Sequence, residues 1–354
     1  MLSIIKQNAE NIKQKNVNRD IRISIIRILA TIGIVLCHIL QEYGNPLANW
    51  LNVNVQIFLF MSGFLYGNKT IENKILWLKN RFIKILVPYY IFFAIALIAY
   101  IILKRELLSL SNIFTTFFCL QLFGKDITGL GHLWFIPLIL LCYIITPILQ
   151  VIRQKISENK KYWLLVLLII LIVHCLIIIP TINMRYITSL VIYIIGYFIS
   201  LFYQKSKKIK RFSSIIITII AILLVILEIL MPIFISNTIL YKIISFAIYY
   251  RNLFLGIAIF MILYNLIGRI RKNKFYYTNN ILSTLDSYTF YIYLTHCIYI
   301  LGPMSLLYIT NNIIINYIIT FAMITISSII LKNISSKVID QLGKINIRRK
   351  EEIR

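Results

Sequence analysis

The feature that most constrains this chain is a succession of apolar runs, each long enough to cross a lipid bilayer as a helix. A helix needs about 20 mostly apolar residues to span the roughly 30 Å hydrocarbon core. The sequence therefore predicts an all-α, polytopic membrane bundle of about ten transmembrane helices. The runs lie at 21–41, 50–67, 82–103, 132–152, 162–180, 186–203, 213–235, 247–268, 288–309 and 313–332.

The composition supports a membrane protein, because 60% of the residues are hydrophobic and only 14% are charged. A soluble domain is typically about a quarter charged. This balance excludes a soluble enzyme, a disordered chain and a disulfide-rich secreted module. The first run is long and lacks a small-residue cleavage site, so we expect a retained helix instead of a signal peptide. The segment 107–123 is apolar but interrupted by Ser, Thr and Asn, which predicts an interfacial or re-entrant piece in an outer loop.

The distribution of basic residues predicts the orientation of the bundle. The chain has 37 Lys and Arg against 12 Asp and Glu, a net charge of +25. With both termini in the cytoplasm, 30 basic residues fall inside and 6 outside, as expected from the retention of basic residues in cytoplasmic loops. The charge thus reports orientation, and no nucleic-acid partner is expected. The outer basic residues are Lys104, Arg105, Lys125, Arg185, Lys242 and Arg251, and Arg27 lies within the first run.

We expect one membrane domain over residues 21–332. A basic cytoplasmic segment, 1–20, precedes it, and a basic cytoplasmic tail, 333–354, follows it. The five cysteines occur singly with no CxxC pair, so neither a redox pair nor a zinc site is predicted, and no metal is expected. These cysteines are Cys37, Cys119, Cys142, Cys175 and Cys297.

The first run carries ionisable residues, which within a span are costly and usually face a bundle interior or a wet cavity. Arg27 and His38 are 11 residues apart, which is three helical turns plus roughly 20° and a rise of about 16 Å. Glu42 follows His38 at i+4. The spacing predicts that all three share one face, with Arg27 near the cytoplasm. This stripe suits a path from an anionic ligand to a proton-transfer site, although an interfacial histidine and a snorkelling arginine are an alternative.

Three further elements place polar residues within or beside the predicted spans. The second run contains the pair Ser62 and Gly63, for which close packing of small residues is the favoured interpretation. His132 and Trp134, at the outer end of the fourth run, fit either an aromatic belt at the interface or a site. His296 lies well inside the ninth run, where a structural hydrogen bond and a role in a site are both open.

Four segments are the most specific features of the sequence: Arg27-x10-His38, VQIFLFMSGFLYG at 55–67, GHLWFIPLILLCYIITPIL at 131–149 and SYTFYIYLTHCIYI at 287–300. In this order they resemble the acyltransferase-3 family of bacterial integral membrane acyltransferases, which includes O-acetyltransferases of cell-surface polysaccharide. The resemblance covers nearly the whole predicted membrane domain. It implies an acyl-CoA donor, typically acetyl-CoA, used from the cytoplasmic side to modify an acceptor on the outer side.

The resemblance also implies roles for single residues. His38 matches the first-helix histidine of the family, the expected catalytic residue, and Arg27 matches its arginine. The family often has Arg-x-Arg at the start of the third helix, whereas this chain has Arg81 and Lys84 at a different spacing. Both stay candidates for binding the donor. Glu42 is a candidate for orienting His38 from its spacing alone. Candidate substrate-binding or supporting residues are Ser62, His132, Trp134 and His296.

The sequence therefore predicts an acyltransferase of the bacterial cytoplasmic membrane, surrounded by membrane lipid, that moves an acyl group to a hydroxyl. His38 acts either as general base or as acyl carrier. A transporter or flippase of a surface-glycan intermediate is the alternative, although no inverted repeat is visible. A membrane glycosyltransferase ranks third. The acceptor (a cell-surface glycan, a lipid-linked sugar or a small molecule), the acyl length and the oligomeric state are open.

Overall fold

The computed structural model describes residues 20–124, 126–159, 163–175, 184–203, 207–231, 241, 244, 246–248, 250–269 and 278–352. Within these ranges the chain forms α-helices, two short 3₁₀ helices and their connections, and no strand. The all-α prediction is confirmed for this part of the chain. The helices are α1 Ile21–Glu42, α2 Leu47–Leu51, α3 Val53–Gly67, α4 Lys74–Leu103, α5 Leu110–Phe117, α6 Phe135–Glu158, α7 Trp163–Cys175, α8 Met184–Tyr203, α9 Lys207–Leu230, α10 Arg251–Arg269, α11 Thr278–Ile300 and α12 Ile313–Glu352, with 3₁₀ helices at Arg105–Leu107 and Gly131–Trp134.

Six helical segments of the described chain are long and apolar enough to cross a membrane, which makes this a multi-pass membrane protein. Two shorter apolar segments, Trp163–Val173 and Ser214–Leu230, accompany them. Every predicted run overlaps a helix, while the total of ten spans and the orientation stay predictions. The six segments are Ile21–Glu42, Lys74–Leu103, Gly131–Ile156, Met184–Leu201, Phe246–Arg269 and Ile313–Lys344.

Two helices depart from the predicted bounds. Helix α11 begins at Thr278 and ends at Ile300, whereas the apolar run was placed at 288–309. Helix α12 continues without a break to Glu352, so the predicted boundary between membrane domain and tail falls inside a helix. Its 40 residues correspond to about 60 Å, twice the thickness of the hydrocarbon core.

Helices α3 and α8 pack unusually closely, and glycines make this possible. A Cβ atom on Gly63 would lie 2.1 Å from the carbonyl oxygen of Tyr193, and one on Gly67 would lie 2.0 Å from that of Tyr197. Because neither distance is compatible with a side chain, the backbones can touch only where glycine is present. The small-residue packing predicted for the second run is confirmed at Gly63.

Helix α1 packs with one face against α3, α10 and α11. Its apolar positions, including Ile26, Ala30 and Ile34, are buried in these contacts. The side chain of Asp20 caps the helix by accepting a hydrogen bond from the backbone N–H of Arg22 at 3.1 Å. This packing presents the polar side chains of α1 to α11, which carries its own buried polar residues.

Candidate active site

Three histidines from separate parts of the sequence come together near the end of α1. His38 belongs to α1, His132 to the 3₁₀ helix before α6, and His296 to α11. The ring centroids of His38 and His296 are 5.1 Å apart, and those of His132 and His296 are 5.2 Å apart. His132 and His296 are buried, whereas His38 is partly accessible. We call this group the histidine cluster.

The hydrogen bonds of the two buried rings indicate their tautomers. Nδ1 of His296 lies 2.7 Å from the carbonyl oxygen of Tyr293, and Nε2 of His132 lies 3.0 Å from that of Leu294. Since a carbonyl oxygen only accepts, these nitrogens carry the protons. The opposite nitrogens, Nε2 of His296 and Nδ1 of His132, are buried without a hydrogen-bond partner. The cluster therefore holds two ring nitrogens with an unused hydrogen-bond acceptor position beside His38.

The position of the His38 ring is set by its neighbour one turn further along α1. Nδ1 of His38 lies 3.0 Å from Oε1 of Gln41, so it donates to the amide oxygen and leaves Nε2 as the basic nitrogen. The spacing along α1 predicts Glu42 for this orienting role. Both i+3 and i+4 neighbours share a helix face, and the structure brings Gln41 to the imidazole.

At the other end of the same face, Arg27 is paired with an acid that the sequence reading did not identify. Its Nη1 donates to Oδ1 of Asp286 at 2.8 Å, and the hydroxyl of Ser24 donates to Oδ2 at 2.7 Å. The side chain of Asp286 is completely buried in α11. An arginine within a span requires a counter-ion, and Asp286 directly precedes the segment 287–300, so a search for its partner would have found this acid.

Arg27 and Asp286 line a cavity of about 290 Å³, here called the Arg27 cavity. Ser62 and Arg81 line it as well, so the structure brings these predicted residues together, while Lys84 is exposed and is not part of the wall. The guanidinium of Arg81 lies 5.2 Å from the ring centre of Tyr66, a cation–π geometry. The remaining wall is largely apolar: Ile34, Val55, Phe58, Leu65, Phe135 and Ile139.

The basic end of the Arg27 cavity has an excess of positive charge. Lys69, in the connection between α3 and α4, lies near it, and burial together with the charges of Arg81 and Arg27 lowers the pKa of Lys69. Asp286, which pairs with Arg27, is the acidic residue in the wall of the cavity. The excess suits an anionic ligand such as a phosphate group.

The Arg27 cavity extends towards the histidine cluster. Ile34, one turn before His38 on α1, and Tyr293 both line it. The hydroxyl of Tyr293 donates to the backbone carbonyl of His132, and its ring centre lies 6.0 Å from that of His296. A positively charged end and the histidine cluster thus occupy opposite ends of one connected face.

A comparison with models of known protein families identifies the family of this chain. The chain matches the family model Acyl_transf_3, an acyltransferase domain, over residues 20–332. It belongs to this family. No curated protein and no solved structure matches it. The acyltransferase is thus a membrane enzyme, which favours this prediction over the transporter and glycosyltransferase alternatives.

The histidine cluster of the acyltransferase is not arranged as a metal site. Within the described part of the chain, no group of three or more His, Cys, Asp or Glu residues has a geometry that could hold a metal ion. The hydrogen bonds of the buried rings to carbonyl oxygens instead suit proton transfer, for which a neutral imidazole is well adapted.

Proposed function

We propose that this acyltransferase moves an acyl group, in the first instance acetyl, from cytoplasmic acyl-CoA to a hydroxyl of a glycan or related acceptor outside the bacterial cytoplasmic membrane. The observation that carries the proposal is the single face that joins Arg27, in a positively charged cavity, to His38, in the histidine cluster. An acyl transfer needs both: cations for the phosphates of the donor and a base or nucleophile at the reacting carbonyl.

The Arg27 cavity supports binding of the donor. Its volume of about 290 Å³ lies at the lower end of small-molecule sites, so it suits the acyl-pantetheine arm and leaves the nucleotide outside. Arg27, Arg81 and Lys69 supply positive charge for the phosphates. The apolar wall, with Phe58 and Phe135, suits the carbon chain of the arm.

His38 supports the chemical step in either of two ways. As general base, its Nε2 removes the proton of the acceptor hydroxyl while that oxygen attacks the thioester carbonyl and the thiolate of CoA departs. As acyl carrier, the same nitrogen attacks the thioester, releases the thiolate and then passes the acyl group to the hydroxyl. In both schemes Gln41 holds Nδ1–H in place, and Nε2 of His296 offers a neighbouring hydrogen-bond acceptor.

The central test is transfer from radiolabelled acetyl-CoA to envelope glycan in membranes that contain wild type or His38→Ala. Loss of a general base or nucleophile should lower the rate by about 10²–10⁴-fold. His174→Ala, at the remaining one of the chain's four histidines, is the matched control and should retain activity. Wild-type transfer by His38→Ala would overturn the proposal. Acid-quenched label on the protein that disappears in His38→Gln would select the carrier scheme over the general base.

A further inference from the structure

A second cavity lies at the N-terminal end of α3, whereas Ser62 and Tyr66 of the Arg27 cavity lie towards the C-terminal end of that helix. It has a volume of about 570 Å³, well within the range of small-molecule sites, and is here called the Trp134 cavity. Val55 lines both cavities, and Trp134 of this one directly precedes Phe135 of the Arg27 cavity. The walls used below are formed by Asn52, Gln56, Trp134, Arg185, Thr188 and Arg251.

One short helix links the Trp134 cavity to the histidine cluster. The 3₁₀ helix Gly131–Trp134 supplies His132 to the cluster and Trp134 to the cavity wall. The same short helix therefore lies between a ligand in this cavity and the histidine cluster. Of the cavity's residues, the sequence identifies Trp134 as a candidate for the site and Arg185 and Arg251 as outer basic residues.

The charges of this cavity are balanced, in contrast to those of the Arg27 cavity. Arg251 is buried, forms an ion pair with Glu228 and lies 4.5 Å from the ring centre of Trp50. Arg185 lies 5.4 Å from the ring centre of Trp134 and acts on the carboxyl group of Asp126. Because each arginine already has an acid nearby, the cavity suits a neutral ligand better than a phosphate.

The polar groups of the wall match hydroxyl groups. Gln56 is buried, donates from Nε2 to the hydroxyl of Ser189 at 3.1 Å, and has no partner for its Oε1. Asn52 and Thr188 add an amide and a hydroxyl. An amide offers a donor and an acceptor side by side, as does a hydroxyl, so the two are complementary. The indole of Trp134 adds a flat apolar surface of the kind that packs against the C–H face of a sugar ring.

We propose that the Trp134 cavity binds a pyranose unit of the acceptor, on the opposite side of Val55 from the donor. The sugar ring lies against Trp134, and its hydroxyl groups bond to Gln56, Asn52 and Arg251. The assignment of this sugar as the acceptor rests on the proposed function, whereas the binding of a sugar does not.

Binding is tested first without acyl-CoA, on protein purified in lauryldimethylamine oxide, a detergent that has no sugar headgroup. Saturation-transfer NMR is recorded with methyl glycosides of glucose, galactose and N-acetylglucosamine. At least one glycoside should bind with a Kd of about 1 mM or below, and Asn52→Trp, which places an indole at the exposed edge of the cavity, should weaken it by about tenfold. Ile219→Trp adds the same bulk on the exposed face of α9 and should leave binding unchanged.

A second variant covers the case in which the added indole disturbs folding. Gln56→Met keeps the side-chain volume but removes the amide, and it should weaken glycoside binding by about tenfold. Inorganic phosphate should not compete with the glycoside. Absence of saturable binding by all three glycosides, binding that both variants leave intact, or displacement by phosphate would each overturn the inference.

The outcome can be separated from that of the proposed function. If glycoside binding responds to Asn52→Trp while His38→Ala still transfers acetyl groups, the proposed function fails and the sugar site stands. If transfer depends on His38 but glycoside binding ignores the cavity variants, the sugar site alone fails. A glycoside that binds in the cavity should also become acetylated in the presence of acetyl-CoA.

Discussion

Arg27 is both a member of a buried ion pair and a wall residue of the Arg27 cavity. The two functions are compatible because only one of its terminal nitrogens bonds to Asp286 in the pair described above, and a guanidinium has five N–H donors. A substitution of Arg27 will therefore disturb stability and donor binding together. The two effects must be measured separately.

A double-mutant comparison can separate these effects. Arg27→Ala leaves the carboxylate of Asp286 buried without its counter-ion, which should lower stability by about 3–5 kcal/mol. Arg27→Ala combined with Asp286→Ala should recover most of that loss, as measured by thermal unfolding in detergent. The KM for acetyl-CoA should stay raised in both variants. A KM restored to the wild-type value in the double variant would show that Arg27 serves only to neutralise Asp286.

Asp126, in the connection before α6, is expected to make stability depend on pH. Burial raises the pKa of its carboxyl group to about 6, against the opposing effect of Arg185. Because the unfolded chain releases this proton at about pH 4, the folded protein binds the extra proton between roughly pH 4 and pH 6, and its stability falls as pH rises through that window.

Asp126→Asn removes this titration. The variant should have a higher Tm than wild type at pH 7, and the difference should shrink towards pH 4, as measured by differential scanning fluorimetry. Glu72→Gln removes an exposed acid and is the matched control. An equal difference in Tm at both pH values would contradict the assignment.

Helix α3 shows how one element can serve packing and chemistry on different sides. Gly63 and Gly67 fit against the backbone of α8, whereas Ser62 lines the Arg27 cavity and Gln56 the Trp134 cavity. The close approach of the glycines fixes the distance between the helices. It thereby fixes the walls of both cavities.

Gly63→Ala should therefore weaken both the fold and the activity. Its methyl group would lie 2.1 Å from the carbonyl oxygen of Tyr193, so α3 must move away from α8, at a cost of about 1–3 kcal/mol. Tm and acetyl transfer should both fall. Gly343→Ala, where nothing lies within 4 Å of the added atom, is the control and should be neutral or stabilising. Equal behaviour of the two variants would contradict the tight packing.

The positions of the helices could be predicted because each span must satisfy its own backbone and expose apolar side chains to lipid. The ends of the helices could not be predicted, since hydropathy shows which residues suit the hydrocarbon core and does not show where a helix ends. Helix α12 continues to Glu352 because intrahelical hydrogen bonds also form in a polar segment. The start of α11 at Thr278 was missed for the same reason.

The site was predictable residue by residue but not as a group. His38 and His296 are conspicuous because an imidazole within a span is costly. Their contact with each other and with His132 depends on how helices pack, which no spacing along a single chain encodes. Asp286 was missed because its role becomes visible only in its ion pair with Arg27. Gln41, at i+3 from His38, shares a face with Glu42, at i+4, and spacing alone does not choose between them.

At the scale of the whole molecule, the charge distribution predicts which side of the membrane each cavity faces. A cysteine in place of Glu72 should lie in the cytoplasm, and one in place of Glu106 should lie outside. In a variant in which all five cysteines are replaced by alanine, an impermeant maleimide should label Glu106→Cys in intact cells. Glu72→Cys should react only after permeabilisation. The reverse pattern would place the Arg27 cavity on the outer side.

Val55 is the residue that the two cavities have in common. Two neighbouring cavities with a shared wall residue can hold two ligands at once. In the proposed reaction neither the donor nor the acceptor travels through the bilayer, and only a two-carbon fragment changes sides. The cell can then acylate glycans on its outer surface with a cytoplasmic donor, without opening a channel through the membrane.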